Sequence, residues 1–330
     1  MSGNHNGDIE RALALVDMAA DRGADALKLQ TYTADTLTID HDGPGFRVEG
    51  GLWDGRTLYD LYQEAATPWD WHAALFARGR ERGITVFSSP FDETAVDFLE
   101  TLDCPAYKIA SFEAMDLPLI RKAASTGKPL IVSTGMVTPD EINELMSLLS
   151  GMGADQVALL HCVSAYPAPI EASNIRSIPE LAARYDVVVG LSDHTPGTAV
   201  AVAAVSLGAA IIEKHVCLAR ADGGVDSAFS LEPSELGTLV TDSRNAWAAL
   251  GEARIGRQSA AEPSAVFRRS LYAVTDIPAG GELTSANVRS IRPGHGLAPK
   301  HFDAVLGRRA KHDISRGTPL SWELIDGPQD

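Results

Sequence analysis

Two stretches of this chain end on a histidine at the polar end of an apolar run: GLSDHT (190–195), which follows DVVV, and GAAIIEKH (208–215). Side chains in extended chain alternate with a period of two. Gly190, Ser192 and His194 therefore share one face, and Ile211, Glu213 and His215 share another. A lone histidine is ordinarily a satisfied structural residue, so the other apolar runs must decide. They end the same way. Lys28 and Gln30 lie on one face of ALKLQT (26–31), and Ser89 closes ITVFSSP (84–90). Lys108, Ser111 and Glu113 fall in AYKIASFE, Ser133 and Thr134 in PLIVSTG, and Ser164 and Tyr166 in VALLHCVSAY. A lysine buried in a strand is an expensive accident. Two lysines, a glutamate, two histidines and several hydroxyls at the same end of successive strands are residue types that handle anions, protons and cations. They are the candidate site.

The elements that must carry them alternate. Seven β-rich apolar segments, at 26–31, 84–90, 106–111, 129–135, 157–164, 187–193 and 209–216, are separated by helical patterns such as 9–23, 138–153 and 197–208. Strands alternating with helices predict parallel βαβ units. Their number over about 220 residues points to a (β/α)8 TIM barrel, in which chemistry sits at the C-terminal strand ends. The first of eight strands is expected upstream of MSGNHNGD, which reads as a βα loop, so it would precede Met1. A doubly wound open sheet is the alternative, but no GxGxxG follows any strand.

A small second domain follows. The predicted organisation is a barrel over 1–250, a polar linker over 251–267 and a mostly-β module over 268–330. The module contains an internal echo, DIPAGGELTSANV (276–288) and DISRGTPLSWELI (313–325), 37 residues apart. Between the copies lies a Gly/Pro loop carrying Arg292.

The chain of 330 residues has 28 basic and 44 acidic side chains, a formal charge of −16, which argues against nucleic acid or an anionic membrane as a general partner. Cys104, Cys162 and Cys217 show no metal or disulfide spacing, as suits a reducing cytoplasm. Cys162 reads as a buried strand cysteine rather than a nucleophile. The uncharged apolar run Ala199 to Ile212 has 14 residues and is too short to span a bilayer. With no secretory signal at the start, a soluble cytoplasmic protein is expected.

NHNG, KLQ, SSPFD, PAYKIASFE, KPLIVSTGM, LLHCVSAYPAP, VGLSDHT, IIEKH and SLEP, in that order, resemble the sialic acid synthase family. RRSLYA, IPAGGELT, RPGHGL and LGRRA resemble its C-terminal antifreeze-like (SAF) domain. The resemblance implies an enzyme that condenses phosphoenolpyruvate with an N-acetylated aminosugar, using Mn²⁺ or Mg²⁺, and releases phosphate. GLWDGRTLYDLYQEAATPWDWH (51–72) and GGVDSAFSLEP (223–233) resemble the pseudaminic acid branch, whose sugar is 2,4-diacetamido-2,4,6-trideoxy-L-altrose. N-acetylneuraminate or legionaminate synthesis is the alternative, and a sugar-binding homologue without turnover is the remaining one.

The resemblance also implies roles. His194 and His215 are the metal ligands. Lys28 and Lys108 neutralise phosphoenolpyruvate, with Ser89, Ser111, Ser133 and Ser192 as hydroxyl donors. Gln30, Tyr166 and Asp226 contact substrate, and Glu113 handles a proton. Glu213 orients His215, and Arg292 reaches the partner subunit's site in a domain-swapped homodimer. A glutamate that relatives carry in the first strand would precede Met1. The long connection after the Lys28 strand carries Trp53, Tyr59, Tyr62 and Trp69, which either face the sugar or pack on the barrel.

Overall fold

Parallel strands covered by helices on their outer side are buried on both faces, so they read as nearly continuous apolar runs. The computed structural model, which describes residues 1–327, turns the seven predicted runs into seven such strands. They are β1 (Ala26–Thr31), β2 (Thr85–Pro90), β3 (Tyr107–Ile109), β4 (Leu130–Ser133), β5 (Val157–Cys162), β6 (Val188–Asp193) and β7 (Ile211–Lys214). They form one curled sheet in sequential order, every neighbouring pair parallel. A helix follows each strand, as the TIM-like architecture requires.

Capping chemistry sets the helix starts. Asp8 accepts the amide of Glu10 ahead of the helix Ile9–Asp21, and Thr138 with Glu141 forms a capping box ahead of Pro139–Gly151. Each helix turns an apolar stripe inward. Leu15, Leu75, Leu99 and Leu145 are fully buried between helices and sheet, and each stabilises the unit by on the order of 2 kcal/mol. Gly190 of β6 is required by space: a Cβ there would stand 2.3 Å from the Ile211 carbonyl oxygen and 2.6 Å from Leu160 Cδ2.

The outer edges of β1 and β7 do not pair with each other. Between them lies a cavity of about 650 Å³ lined by Leu27, Lys28, Ile212, Glu213, Leu236 and Trp247, among others. This is the position an eighth strand takes in a closed barrel. In the middle of β1 the Met1 amino group donates to the Lys28 carbonyl oxygen at 2.9 Å. The segment SGNH is a short 3₁₀ turn, Ser2–His5, all four residues buried, and NHNG runs out of it through Asn6 in the left-handed region.

The chain divides into two compact units, Met1–Gly251 and Glu252–Asp330, the last three residues (328–330) lying outside those described. In the second unit β8 (Ser270–Ala273) and β9 (Val288–Ile291) are antiparallel. The 37-residue echo becomes a local pseudo-twofold axis. Ile277 and Ile314, equivalent in the two copies, exchange backbone hydrogen bonds of 2.9 and 2.8 Å. Asp276 accepts the amide of Arg316 and Asp313 that of Ala279, both at 2.7 Å. Leu283 with Leu320 and Val288 with Ile325, also equivalent pairs, form the core of the unit.

Candidate active site

Because the strands are parallel and in register, their C-terminal ends deliver side chains to one rim. His194 and His215 are the residues after β6 and β7, and the residues before them, Asp193 and Lys214, are register partners. The two imidazole centroids lie 5.3 Å apart. His194 Nδ1 lies 3.1 Å from the Val163 carbonyl oxygen, so it carries the proton and its Nε2 lone pair is free. His215 Nδ1 is buried with no hydrogen-bond partner. Burial lowers both pKa values, that of His215 far below the usual range, with the other histidine and Lys28 adding to the shift there. Two neutral imidazoles, one with an unsatisfied nitrogen, fit a divalent cation better than a hydrogen-bonded core. Among the described residues no three His, Cys, Asp or Glu side chains form a ready-made cage. A cation held here keeps positions for substrate and water.

Beside the histidines stands a charged group. Lys28 Nζ is 3.0 Å from Glu213 Oε1, and Lys108 Nζ is 3.9 Å from Glu213 Oε2. Lys108 is almost completely buried and also donates to Ser133 Oγ at 2.7 Å and to the Ile109 carbonyl oxygen at 3.1 Å. Burial pulls its pKa down to about 8 against the pull of Glu213. Burial acts to raise the Glu213 carboxyl, and Lys108 and Lys28 overcome it, holding that group at about 2. This corrects the expectation for Glu213: its contacts are the two lysines rather than His215. The carboxylate facing His215 is Asp226, with Oδ2 3.8 Å from Nδ1. Asp226 Oδ2 and Gln30 Oε1, the latter at 2.7 Å, both lie within hydrogen-bond reach of Ser2 Oγ and compete for its single proton. Burial raises the Asp226 pKa, opposed by the Ser2 hydrogen bond.

The hydroxyls line the same rim. Ser164 donates to Ser111 Oγ at 2.9 Å, and a Cβ on Gly135 would stand 2.7 Å from Ser164 Oγ and 2.9 Å from Ser111 Oγ, so only glycine fits. Ser89 Oγ is buried and unpartnered, and Ser192 is buried on β6. Glu113 Oε2 is likewise buried without a partner, and burial raises that carboxyl to about 7. A carboxyl poised there can give or take a proton near neutral pH. Cys162 is buried, its thiol pushed up by burial, as a structural cysteine should be.

The aromatic residues divide. Tyr166 packs against His194 with centroids 4.5 Å apart, and Phe229 stands 5.0 Å from His215. Trp53 covers them, 5.7 Å from Tyr166, with its indole N–H donating to the Val225 carbonyl oxygen at 2.9 Å. Trp69 instead stacks on Phe98 at 4.7 Å, Tyr62 packs edge-on to Tyr32, and Tyr59 donates outward to Asp35. Phe229 was missed in sequence because an aromatic in a loop carries no periodic signal. Arg292 belongs to the second unit, at the junction with Pro293.

The NeuB family model matches residues 15–255 and the SAF domain model residues 268–326. Pseudaminic acid synthase of Campylobacter jejuni subsp. jejuni (strain 81-176) is 43% identical over 97% of this chain and 93% of its own. N,N'-diacetyllegionaminic acid synthase of Legionella pneumophila is 34% identical over 98% of this chain and 92% of its own. A crystal structure of N-acetylneuraminic acid synthetase from Leptospira borgpetersenii, in complex with citrate, superposes with a TM-score of 0.71 and 31% identity, covering 79% of this chain and 87% of that one. Matched along its barrel by the family model and along nearly its whole length by these synthases, the chain belongs to the NeuB family.

Proposed function

We propose that this protein is a pseudaminic acid synthase, condensing phosphoenolpyruvate with 2,4-diacetamido-2,4,6-trideoxy-L-altrose and water to give pseudaminic acid and phosphate. The observation that carries the reading is the one rim on which a paired-lysine anion site, a proton-handling carboxyl and a neutral histidine pair stand side by side. The greater similarity to a pseudaminic than to a legionaminic acid synthase supports the choice of sugar.

Lys28 and Lys108, with the hydroxyls of Ser89, Ser111, Ser133 and Ser192, take the phosphate and carboxylate of phosphoenolpyruvate. Charge-assisted bonds in a water-poor pocket orient C3 towards the sugar aldehyde. His194 and His215 would hold a divalent cation, Mn²⁺ or Mg²⁺, which supplies Lewis acidity for the aldehyde carbon. Carbon C3 bonds to that carbon while water adds at C2, and the C2–O bond to phosphate then breaks. Glu113, whose carboxyl burial raises to about 7, takes the proton of that water. Gln30, Tyr166 and Asp226 contact the sugar, with the Trp53–Phe229 wall against its deoxy and acetamido methyl groups. Arg292 is assigned to the site of a neighbouring subunit in a domain-swapped homodimer.

The test is phosphate release from phosphoenolpyruvate with Mn²⁺, comparing the altrose-configured sugar, N-acetylmannosamine and the legionaminate precursor. Release with the first alone is expected. Release with either of the others alone moves the protein to that branch, and binding of a sugar without release makes it a sugar-binding homologue.

A further inference from the structure

The side chains that point away from the rim at the ends of β6 and β7 form a clamp. Asp193 and Lys214 are register partners one residue before His194 and His215. Their side chains are almost completely buried, 2% and 1% exposed. The Lys214 ammonium group donates to Asp193 Oδ2 at 2.9 Å, to the Thr195 carbonyl oxygen at 2.6 Å and to the Gly197 carbonyl oxygen at 2.9 Å. All three of its protons are used. Asp193 Oδ1 accepts the Thr195 amide at 2.8 Å. One ammonium group on the strand that carries His215 thus holds the loop on both sides of His194. The loop has two further ties: the His194 carbonyl oxygen accepts from the Ala168 amide at 3.0 Å, and His194 Nδ1 donates to the Val163 carbonyl oxygen at 3.1 Å. Nothing in this clamp touches Lys28, Lys108 or Glu213.

We propose that Asp193 and Lys214 are positioning residues that set the separation of the two imidazoles, and so govern cation affinity independently of the anion site. The inference rests on the reading of His194 and His215 as the cation-holding pair. An apolar pair of similar size could fill the same space, but it would leave the carbonyl oxygens of Thr195 and Gly197 without donors and the His194 loop held only through Ala168 and Val163.

The test uses the full chain and four variants: Asp193→Asn, Lys214→Arg, Lys214→Met and His194→Ala. Mn²⁺ affinity is read from the electron paramagnetic resonance of free Mn²⁺, inorganic phosphate affinity by calorimetry, and folding by urea unfolding. Asp193→Asn and Lys214→Met are expected to weaken Mn²⁺ binding at least tenfold while phosphate affinity stays within twofold. Lys214→Arg, which keeps the charge, recovers most of the loss and remains informative should Lys214→Met not fold. Unchanged Mn²⁺ affinity in folded Asp193→Asn, with lowered stability only, overturns the positioning role and makes the pair purely structural. If His194→Ala also leaves Mn²⁺ affinity unchanged, the underlying histidine assignment has failed, a separate result. Equal losses of Mn²⁺ and phosphate binding overturn the independence of the two sites.

Discussion

Replacing Glu113 with glutamine should make the protein more stable in alkali than the wild type can be, while turnover falls. Burial holds the Glu113 carboxyl at about 7, against an ordinary 4.5, with Oε2 unpartnered. A carboxyl whose folded pKa is raised stabilises the fold fully below its unfolded pKa, and the contribution is lost as pH rises through the folded value. A tenfold change in proton affinity between the folded and unfolded states corresponds to about 1.4 kcal/mol. Ionising Glu113 therefore costs on the order of 3 kcal/mol, most of which falls between pH 5 and 8.5. Glutamine keeps the shape and cannot ionise. The stability difference between variant and wild type, from urea unfolding at pH 5, 7 and 8.5, should swing by about that amount in favour of glutamine as pH rises. Histidines and other carboxylates titrate in the same window, but they are common to both proteins and cancel. Activity should fall at least a hundredfold, the usual worth of a positioned acid–base group. A difference that does not vary with pH refutes the raised pKa. A pH-dependent swing with full activity refutes the proton-transfer role.

Glu213→Gln should destabilise the fold by roughly 3–5 kcal/mol, because it leaves two buried lysines facing one another; inorganic phosphate should restore part of the loss in urea unfolding, and an unchanged midpoint would show that the lysines need no partner. Chelation should abolish phosphate release and Mn²⁺ should restore it in the wild type but not in His215→Ala; chelator-resistant turnover removes the cation from the reaction. His72 is buried and held at about 4 by burial, so it binds its proton in the unfolded state first, and its contribution is lost as pH falls below 6.5. At pH 5 this costs about 2 kcal/mol relative to pH 8; His72→Gln should lack that dependence, which paired unfolding curves will show.

What could be seen in advance follows from the covering of the sheet. Strands buried on both faces read as apolar runs, and a polar residue closing such a run has no reason to be there except the rim, which is how Lys28, Lys108, Ser133, His194 and His215 stood out. The echo in the second unit was visible for a similar reason: the repeated Asp–Ile and Leu spacing encodes a backbone exchange between Ile277 and Ile314 and a core of paired leucines. Partner choice was hidden. Period-two alternation puts Glu213 and His215 on one face of β7, which suggests that the carboxylate serves the histidine. Across an open rim, though, Glu213 meets β1 and β3, whose lysines lie closer in space than in sequence. Trp69 and Trp53 come from the same long connection, yet one stacks on Phe98 in the helical layer while the other covers Tyr166, because loop residues answer to whichever surface the chain crosses.

The overall charge of −16 sharpens the meaning of Glu213. An acidic protein repels a phosphorylated carboxylate at long range, so binding must come from cations close enough to escape screening. Lysines that stay charged in a buried site need a counter-ion when no substrate is present, or burial neutralises them. Lys108 shows how near that limit lies, at about 8 even with Glu213 beside it. Glu213 therefore acts as a resident anion that keeps two cations ready. An arriving phosphate would, on the proposed function, compete with it for those lysines. On the proposed function, an acidic residue at the centre of an anion site is what preserves that site's charge.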